Sequence, residues 1–219
     1  MALVVGIIMS GYTVLEDALA TASPDTPEVQ AAIEATRPAL PGEPVNVLLI
    51  GSDSRGEGDN GRSDSLILMR LDRDRGFISL LSFPRDLYVS VPGFGLQKIN
   101  AAYGLGGAEK TIETVTALTG QNVNHYINVD FNGFSNLVDE VGGVLIDVDR
   151  RYFNSTVGCS GSSCYDEIDI EAGYQRLNGV KALDYVRYRH TDGDFARIAR
   201  QQLFLSELKR QTNQFGNLT

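Results

Sequence analysis

VNVLLIGSDSRGEGDNGRSDSLILMRLDRDRGFISLLSF, residues 45–83, holds three apolar runs and one long polar loop. The first run, VNVLLIG, is continuously apolar and ends in glycine, the pattern of a strand buried on both faces. DSLILMRLD and GFISLLSF are rich in β-favouring residues and are separated by RDRG, which predicts a hairpin. Between the first two runs lie Asp53, Arg55, Glu57, Asp59, Arg62 and Asp64. That loop follows the carboxyl end of a buried strand, where open α/β sheets bind their ligands.

Outward from this segment, strands and helices alternate. LYVSVPG predicts a short strand. GGAEKTIETVTALTG predicts a helix with Ile112, Val115 and Leu118 on its apolar face and Gly120 as its stop. NHYINVD and VLIDVD read as strands around a helix, FNGFSNLVDEVGG, closed by glycine. NGVKALDYV starts from an asparagine cap, and FARIARQQLFLSELKRQ is amphipathic, with Ile198, Leu205 and Leu208 on one side. The expected class is α/β, a central mixed β-sheet sandwiched by helices, with an N-terminal helical or linker segment. The folded domain is expected over 45–219. Residues 21–44 carry five prolines around a helix-like piece, PEVQAAIEATR, and predict a stalk or linker. Residues 1–20 are apolar up to Leu15 and then meet Glu16 and Asp17. That run is shorter than the ~20 residues a spanning helix needs and lacks a basic flank. It reads either as the outer part of a membrane anchor or as an ordinary amphipathic helix.

With 219 residues, 42% of them hydrophobic, the chain can bury a sizeable core. Its net charge of −9 argues against nucleic acid as a partner, since phosphate backbones repel an acidic surface. Any anion site is therefore local. All 19 basic residues are arginine except Lys98, Lys110, Lys181 and Lys209, and arginine grips phosphate bidentately where lysine cannot. Cys159 and Cys164 bracket SGSS and lack the further Cys or His ligands of a zinc site. They read as a small disulfide loop of an oxidising compartment, with two free thiols as the alternative.

Four clusters carry the functional signal. Asp53 and Asp64 stand at the two ends of one loop with Arg62 beside Asp64, and a carboxylate pair suits Mg²⁺ that takes its other oxygens from water and a substrate phosphate. The competing reading is a polar surface loop with exposed salt bridges. In SFPRDLYV, Arg85 follows a proline that ends a strand, and Asp86 is placed either to steady it or to bind metal. In DYVRYRH, Arg187 and Arg189 share a face if the chain there is extended and diverge if it is helical. In DGDFARIARQQ, Asp194, Arg197 and Gln201 align along a helix, Arg200 lies slightly round the barrel, and the helix start favours negative charge. Four such features in one acidic chain point to an arginine-lined polyanion site. No Gly-x-Ser-x-Gly elbow is present, and neither His125 nor His190 has an evident nucleophile partner.

Read together, LLIGSDSR, GRSDSLILMRLD, SFPRDLYVSVPG, KINAAYGLGG, VDFNGFSNLVDEVGGV, LNGVKALDYVRYRH and DGDFARIARQQ resemble, in order, the hallmark segments of the LytR-CpsA-Psr family of cell-wall glycopolymer ligases. The resemblance spans about 45–210. It implies a bacterial enzyme anchored through its N-terminus in the cell membrane, its domain on the cell-wall side. Its implied partners are a polyprenyl pyrophosphate-linked glycan and a peptidoglycan or similar acceptor, with no nucleic acid. Asp53 and Asp64 match family acids near Mg²⁺, with Mn²⁺ as an alternative ion. Arg62, Arg85, Arg187, Arg189, Arg197, Gln201 and Lys98 match positions around the pyrophosphate. Asp194 matches an acid that steadies the arginines or serves as a second acid at the site, and Arg200 belongs to the same segment. The lipid of the family lies in an apolar tunnel. A carrier-binding protein without catalysis and a pyrophosphatase acting on the same lipid are the alternatives.

Overall fold

The computed structural model describes residues 43–52, 63–72, 74–156, 167–189 and 193–216, with side chains as far as Gln211. The anchor expected at 1–20 and nearly all of the linker expected at 21–44 lie outside them, as do Asp53, Arg62, Cys159, Cys164 and His190. The described residues fall into two compact units that divide after Phe131.

The first unit begins with β1 (Val45–Ser52), β2 (Ser63–Asp72) and β3 (Phe77–Ser82). A short hairpin, β4 (Tyr88–Val91) and β5 (Gly95–Lys98), leads into α1 (Ala101–Thr119), and β6 (His125–Val129) follows. The sheet order is β3-β2-β1-β6. β1–β2 and β2–β3 are antiparallel and β1–β6 is parallel, so the sheet is mixed and the class is α/β. The continuous apolar run of β1 is explained by its central place: Val47, Leu48 and Ile50 are almost wholly buried.

Helix α1 starts at Ala101, earlier than its sequence pattern suggests, because a break at Gly106 and Gly107 joins two helical stretches. It stops as expected at Gly120, which adopts φ 66°. Ile112 and Val115 are fully buried, but Leu118 is 44% exposed. Thr111 and Thr114 take core positions instead. Their hydroxyls donate to the carbonyls of Gly107 and Lys110 at 2.8 and 2.7 Å, which lets polar side chains face an apolar interior.

On β6, burial lowers the pKa of His125 below the ordinary 6.5. The neutral imidazole is thus the form the fold prefers. Its contribution to stability is complete above pH 6.5 and declines as pH falls below it, because the unfolded chain then takes up the proton first. An NMR titration of the His125 ring is expected to show a midpoint below 6.5.

α2 (Phe131–Glu140) leads into the second unit, which continues with β7 (Val144–Val148), β8 (Tyr152–Asn154), β9 (Ile168–Ile170) and β10 (Gly173–Leu177). α3 (Gly179–Arg187) and α4 (Asp194–Gly216) complete it. β7 pairs with β10 and β8 with β9, both antiparallel. The Asn178 side chain caps α3 by accepting from the Lys181 amide at 3.0 Å. Gly179 has to be glycine, since a Cβ there would stand 2.1 Å from the Ser135 carbonyl oxygen.

The buried face of α4 differs from the apolar one expected. Arg197, Arg200, Gln201, Phe204, Leu208 and Gln211 are buried, whereas Ile198 and Leu205 are only half-buried. Those six positions follow helical spacing, so the period is right and the chemistry is not the usual one. Hydrogen bonds to neighbouring elements let several of these polar side chains sit inside. Gln211, for example, accepts from the Leu145 amide and donates to the Leu145 carbonyl, both at 2.8 Å, and so binds α4 to β7.

Candidate functional site

In the first unit, Asp64 owes its orientation to an irregularity in the sheet. Gly51 pairs with Ser65, but the next residue, Ser52, pairs with Ser63, so Asp64 is the extra residue of a β-bulge. A bulge kinks the strand and re-aims a side chain. Gly51 suits this place because a Cβ there would approach that of Ser65 to 3.2 Å. Ser52 and Ser63 are each 1% exposed, and their hydroxyls have no hydrogen-bond partner among the described residues. They bracket the segment 53–62 that contains Asp53 and Arg62.

Arg85 is carried by a tight turn after β3. The Phe83 amide donates to Leu66 O and the Leu87 amide to Pro84 O, both at 2.9 Å, so Arg85 and Asp86 occupy the central turn positions. Arg85 Nη1 donates to Asp64 Oδ1 at 2.8 Å, and its Nε lies 3.7 Å from Asp86 Oδ2. Asp86 Oδ1 accepts from Lys98 Nζ at 2.6 Å. Asp64, Arg85, Asp86 and Lys98 therefore form one connected row of alternating charge. Asp86 steadies cations here. The Arg85 side chain is 28% exposed and that of Asp64 24%, so the guanidinium is anchored yet open to an anion.

The second unit gathers the other arginines. α3 ends at Arg187, and Tyr188 turns the chain extended with ψ 132°, so the segment is helical as far as Arg187 and leaves the helix at Tyr188. Tyr188 is buried, and Arg187 and Arg189 on either side of it are half-exposed. At the start of α4, Asp194 Oδ1 and Arg197 Nη2 lie 2.6 Å apart, with side chains only 16% and 5% exposed. A buried pair of this kind fixes the position of both charges.

Arg200 is engaged differently. Its Nε donates to Tyr185 O at 3.0 Å and its Nη2 donates to Tyr188 O. Its guanidinium lies 5.0 Å from the Tyr152 ring centre and 5.8 Å from that of Tyr188. Gln201 Nε2 donates to Val186 O at 3.3 Å. These two side chains hold the end of α3, and with it Arg187 and Arg189, against α4. Tyr152 donates its hydroxyl proton to Asp149 Oδ1 at 2.6 Å. Burial pushes the Tyr185 phenol up to about 12 and raises that of Tyr152, so both phenols stay neutral, with the Tyr152 ring beneath the cation. Sequence spacing set Arg200 aside from Arg197 and Gln201, but gave no sign that carbonyls and aromatic rings would surround it.

A metal ion at the loop would meet oxygen donors only. Among the described residues no group of three His, Cys, Asp or Glu side chains could hold a metal by itself. Asp64 and the orphaned hydroxyls of Ser52 and Ser63 fit a hard cation such as Mg²⁺, which takes one or two carboxylates and completes its shell with water and phosphate oxygens.

Known proteins resemble this chain over most of its length. The chain is 38% identical over 192 residues to a Corynebacterium glutamicum protein named probable cell wall biosynthesis protein LcpB, covering 80% of this chain and 43% of that one. It is 34% identical over 183 residues to the polyisoprenyl-teichoic acid–peptidoglycan teichoic acid transferase TagU of Oceanobacillus iheyensis, covering 80% and 53%. It thus spans about half the length of these curated relatives. Among solved structures, the family protein YwtF (TagT) of Bacillus subtilis with bound octaprenyl pyrophosphate lipid superposes with a TM-score of 0.63 at 29% identity, covering 81% of this chain and 69% of that one. The model of the LytR_cpsA_psr family matches residues 6–219, and the chain belongs to that family.

Proposed function

We propose that the chain is a phosphotransferase that moves a glycan, with one phosphate, from a polyprenyl pyrophosphate carrier to a hydroxyl of peptidoglycan or a similar cell-wall acceptor. The observation that carries this reading is the row Asp64–Arg85–Asp86–Lys98, in which acids hold an arginine in place while leaving it open to an anion. A bound octaprenyl pyrophosphate in one relative and the transferase name of another support it.

Phosphoryl transfer asks little covalent work of a protein and much positioning and charge neutralisation. The acceptor hydroxyl oxygen bonds to the glycan-side phosphorus, the bond from that phosphorus to the bridging oxygen breaks, and the carrier leaves as its monophosphate. The hydroxyl proton passes to a carboxylate at the loop, Asp53 or Asp64. Arg85 neutralises charge on the phosphoryl oxygens, and Arg187, Arg189 and Arg197 are further anion-binding arginines. Lys98 and Asp194 steady charges beside them, Gln201 holds the end of α3, and Arg200 acts on the site only by positioning. Mg²⁺, or Mn²⁺ in its place, held by Asp53 and Asp64, supplies further neutralisation of the departing phosphate when bound. The same reading places the chain at the bacterial cell membrane, on its cell-wall side.

Turnover of a polyprenyl pyrophosphate-linked glycan tests the proposal. Adding a chelator is expected to reduce the rate at least tenfold, and excess Mg²⁺ to restore it. A rate indifferent to chelation removes the metal from the reading, and a lipid that is bound but never turned over contradicts the transferase.

A further inference from the structure

We propose that the outer face of the β4–β5 hairpin is the docking platform for the uncharged sugar rings of the acceptor, an inference that rests on transfer to a sugar hydroxyl. Cross-strand pairing sets Tyr88 opposite Lys98 and Ser90 opposite Leu96 on this face, while Val89 and Val91 on the other face are buried in the core. The inner side of β4 is packed through Val89 and Val91, and the base of the hairpin is closed by hydrogen bonds from the Ile99 amide to Leu87 O at 2.8 Å and from the Asn100 amide to Arg85 O at 3.2 Å.

Tyr88 is 65% exposed and Leu96 64%, with Phe94 at the turn 46% exposed. An aromatic and aliphatic strip on a fixed strand pair is an unusual thing to leave in water. Its polar neighbours decide what covers it. Lys98 is paired with Asp86, and Lys110, which lies over the Phe94 ring at 5.9 Å, is paired with Glu113. An anionic bilayer rewards lysines whose charge is uncompensated. Here each cation has its acid, so the face offers donors and acceptors side by side. That combination suits a neutral, hydroxyl-rich ligand: the aromatic ring and Leu96 meet the C–H faces of a sugar, and the Lys98–Asp86 pair meets its hydroxyl and amide groups. The platform also continues into the proposed site, because Tyr88 stands across from Lys98, whose partner Asp86 adjoins Arg85.

Backbone NMR of the 219-residue chain, titrated with the uncharged tetrasaccharide of N-acetylglucosamine, tests this. Shifts are expected at Tyr88, Ser90, Leu96 and Lys98. The double variant Tyr88→Ala/Leu96→Ser is expected to weaken binding at least tenfold while the thermal midpoint and donor-lipid binding stay unchanged. Shifts confined to other residues, no binding at millimolar tetrasaccharide, or wild-type binding by the variant overturns the platform. So does a variant that keeps the sugar and loses adsorption to phosphatidylglycerol vesicles, which marks the face as a bilayer contact. Transfer by the wild-type chain is scored in parallel: transfer without hairpin shifts sinks the platform alone, whereas absent transfer sinks the function.

Discussion

Arg85→Ala is expected to lower turnover by about 100- to 1,000-fold, the usual effect of removing one preorganised group that meets developing charge. The fold should survive, because Arg85 occupies a surface turn and no core position. Arg85→Lys is expected to recover only a fraction of the loss. Lysine keeps the charge but lacks the planar fork that reaches Asp64 with one nitrogen and an incoming phosphate with others. Steady-state kinetics on the donor lipid, with a melting curve for each variant, separates lost chemistry from lost folding. Near-normal turnover in Arg85→Ala would remove this residue from the site.

Arg197→Ala is the second large effect, and it acts on stability as well as on rate. The substitution takes away the guanidinium 2.6 Å from the largely buried Asp194, and removing one partner of a buried pair costs about 3–5 kcal/mol. For a chain of this length that is a fall of roughly 10 °C in the thermal midpoint. Replacing both partners, Asp194→Asn with Arg197→Met, removes the buried acid's charge as well and is expected to regain most of the stability. It is not expected to regain turnover, because the charge of Arg197 is gone. A double variant that recovers both would show that the pair serves folding alone. Calorimetry and donor turnover on the three variants distinguish these outcomes.

Much of the first unit is legible in the sequence. The unbroken apolar run of β1 fits its central place in the sheet, RDRG closes the β2–β3 hairpin, and Gly120 ends α1 with the left-handed conformation that glycine adopts freely. Asn178 caps α3 as its side chain suggests. The strands that escaped notice, β5, β8, β9 and β10, are three to five residues long, and β5 is exposed along its whole length. Periodicity needs a longer run and a buried face to show itself.

The site was legible by residue type and less so by role. A loop with acids at its ends can be read from the letters, but the bulge that turns Asp64 toward Arg85 depends on register, which only strand pairing reveals. The α4 pattern misled for a related reason. Apolar letters mark a core face only when core positions are apolar, and Arg197, Arg200, Gln201 and Gln211 are buried because carbonyls, an acid and aromatic rings satisfy them. Only Asp194 is a near neighbour of its partner; the carbonyls and rings come from residues 12 or more positions away, so local sequence carries no trace of them.

Mass spectrometry of the acceptor, after incubation of the chain with Mg²⁺, a polyprenyl pyrophosphate-linked glycan and a short peptidoglycan oligosaccharide, tests the central claim most directly. The account predicts an acceptor heavier by the glycan plus one phosphate, formed by the wild-type chain and lost in Arg85→Ala. An acceptor of unchanged mass contradicts it: with free glycan phosphate in solution the chain is a pyrophosphatase, and with the donor lipid intact on the protein it is a carrier-binding protein.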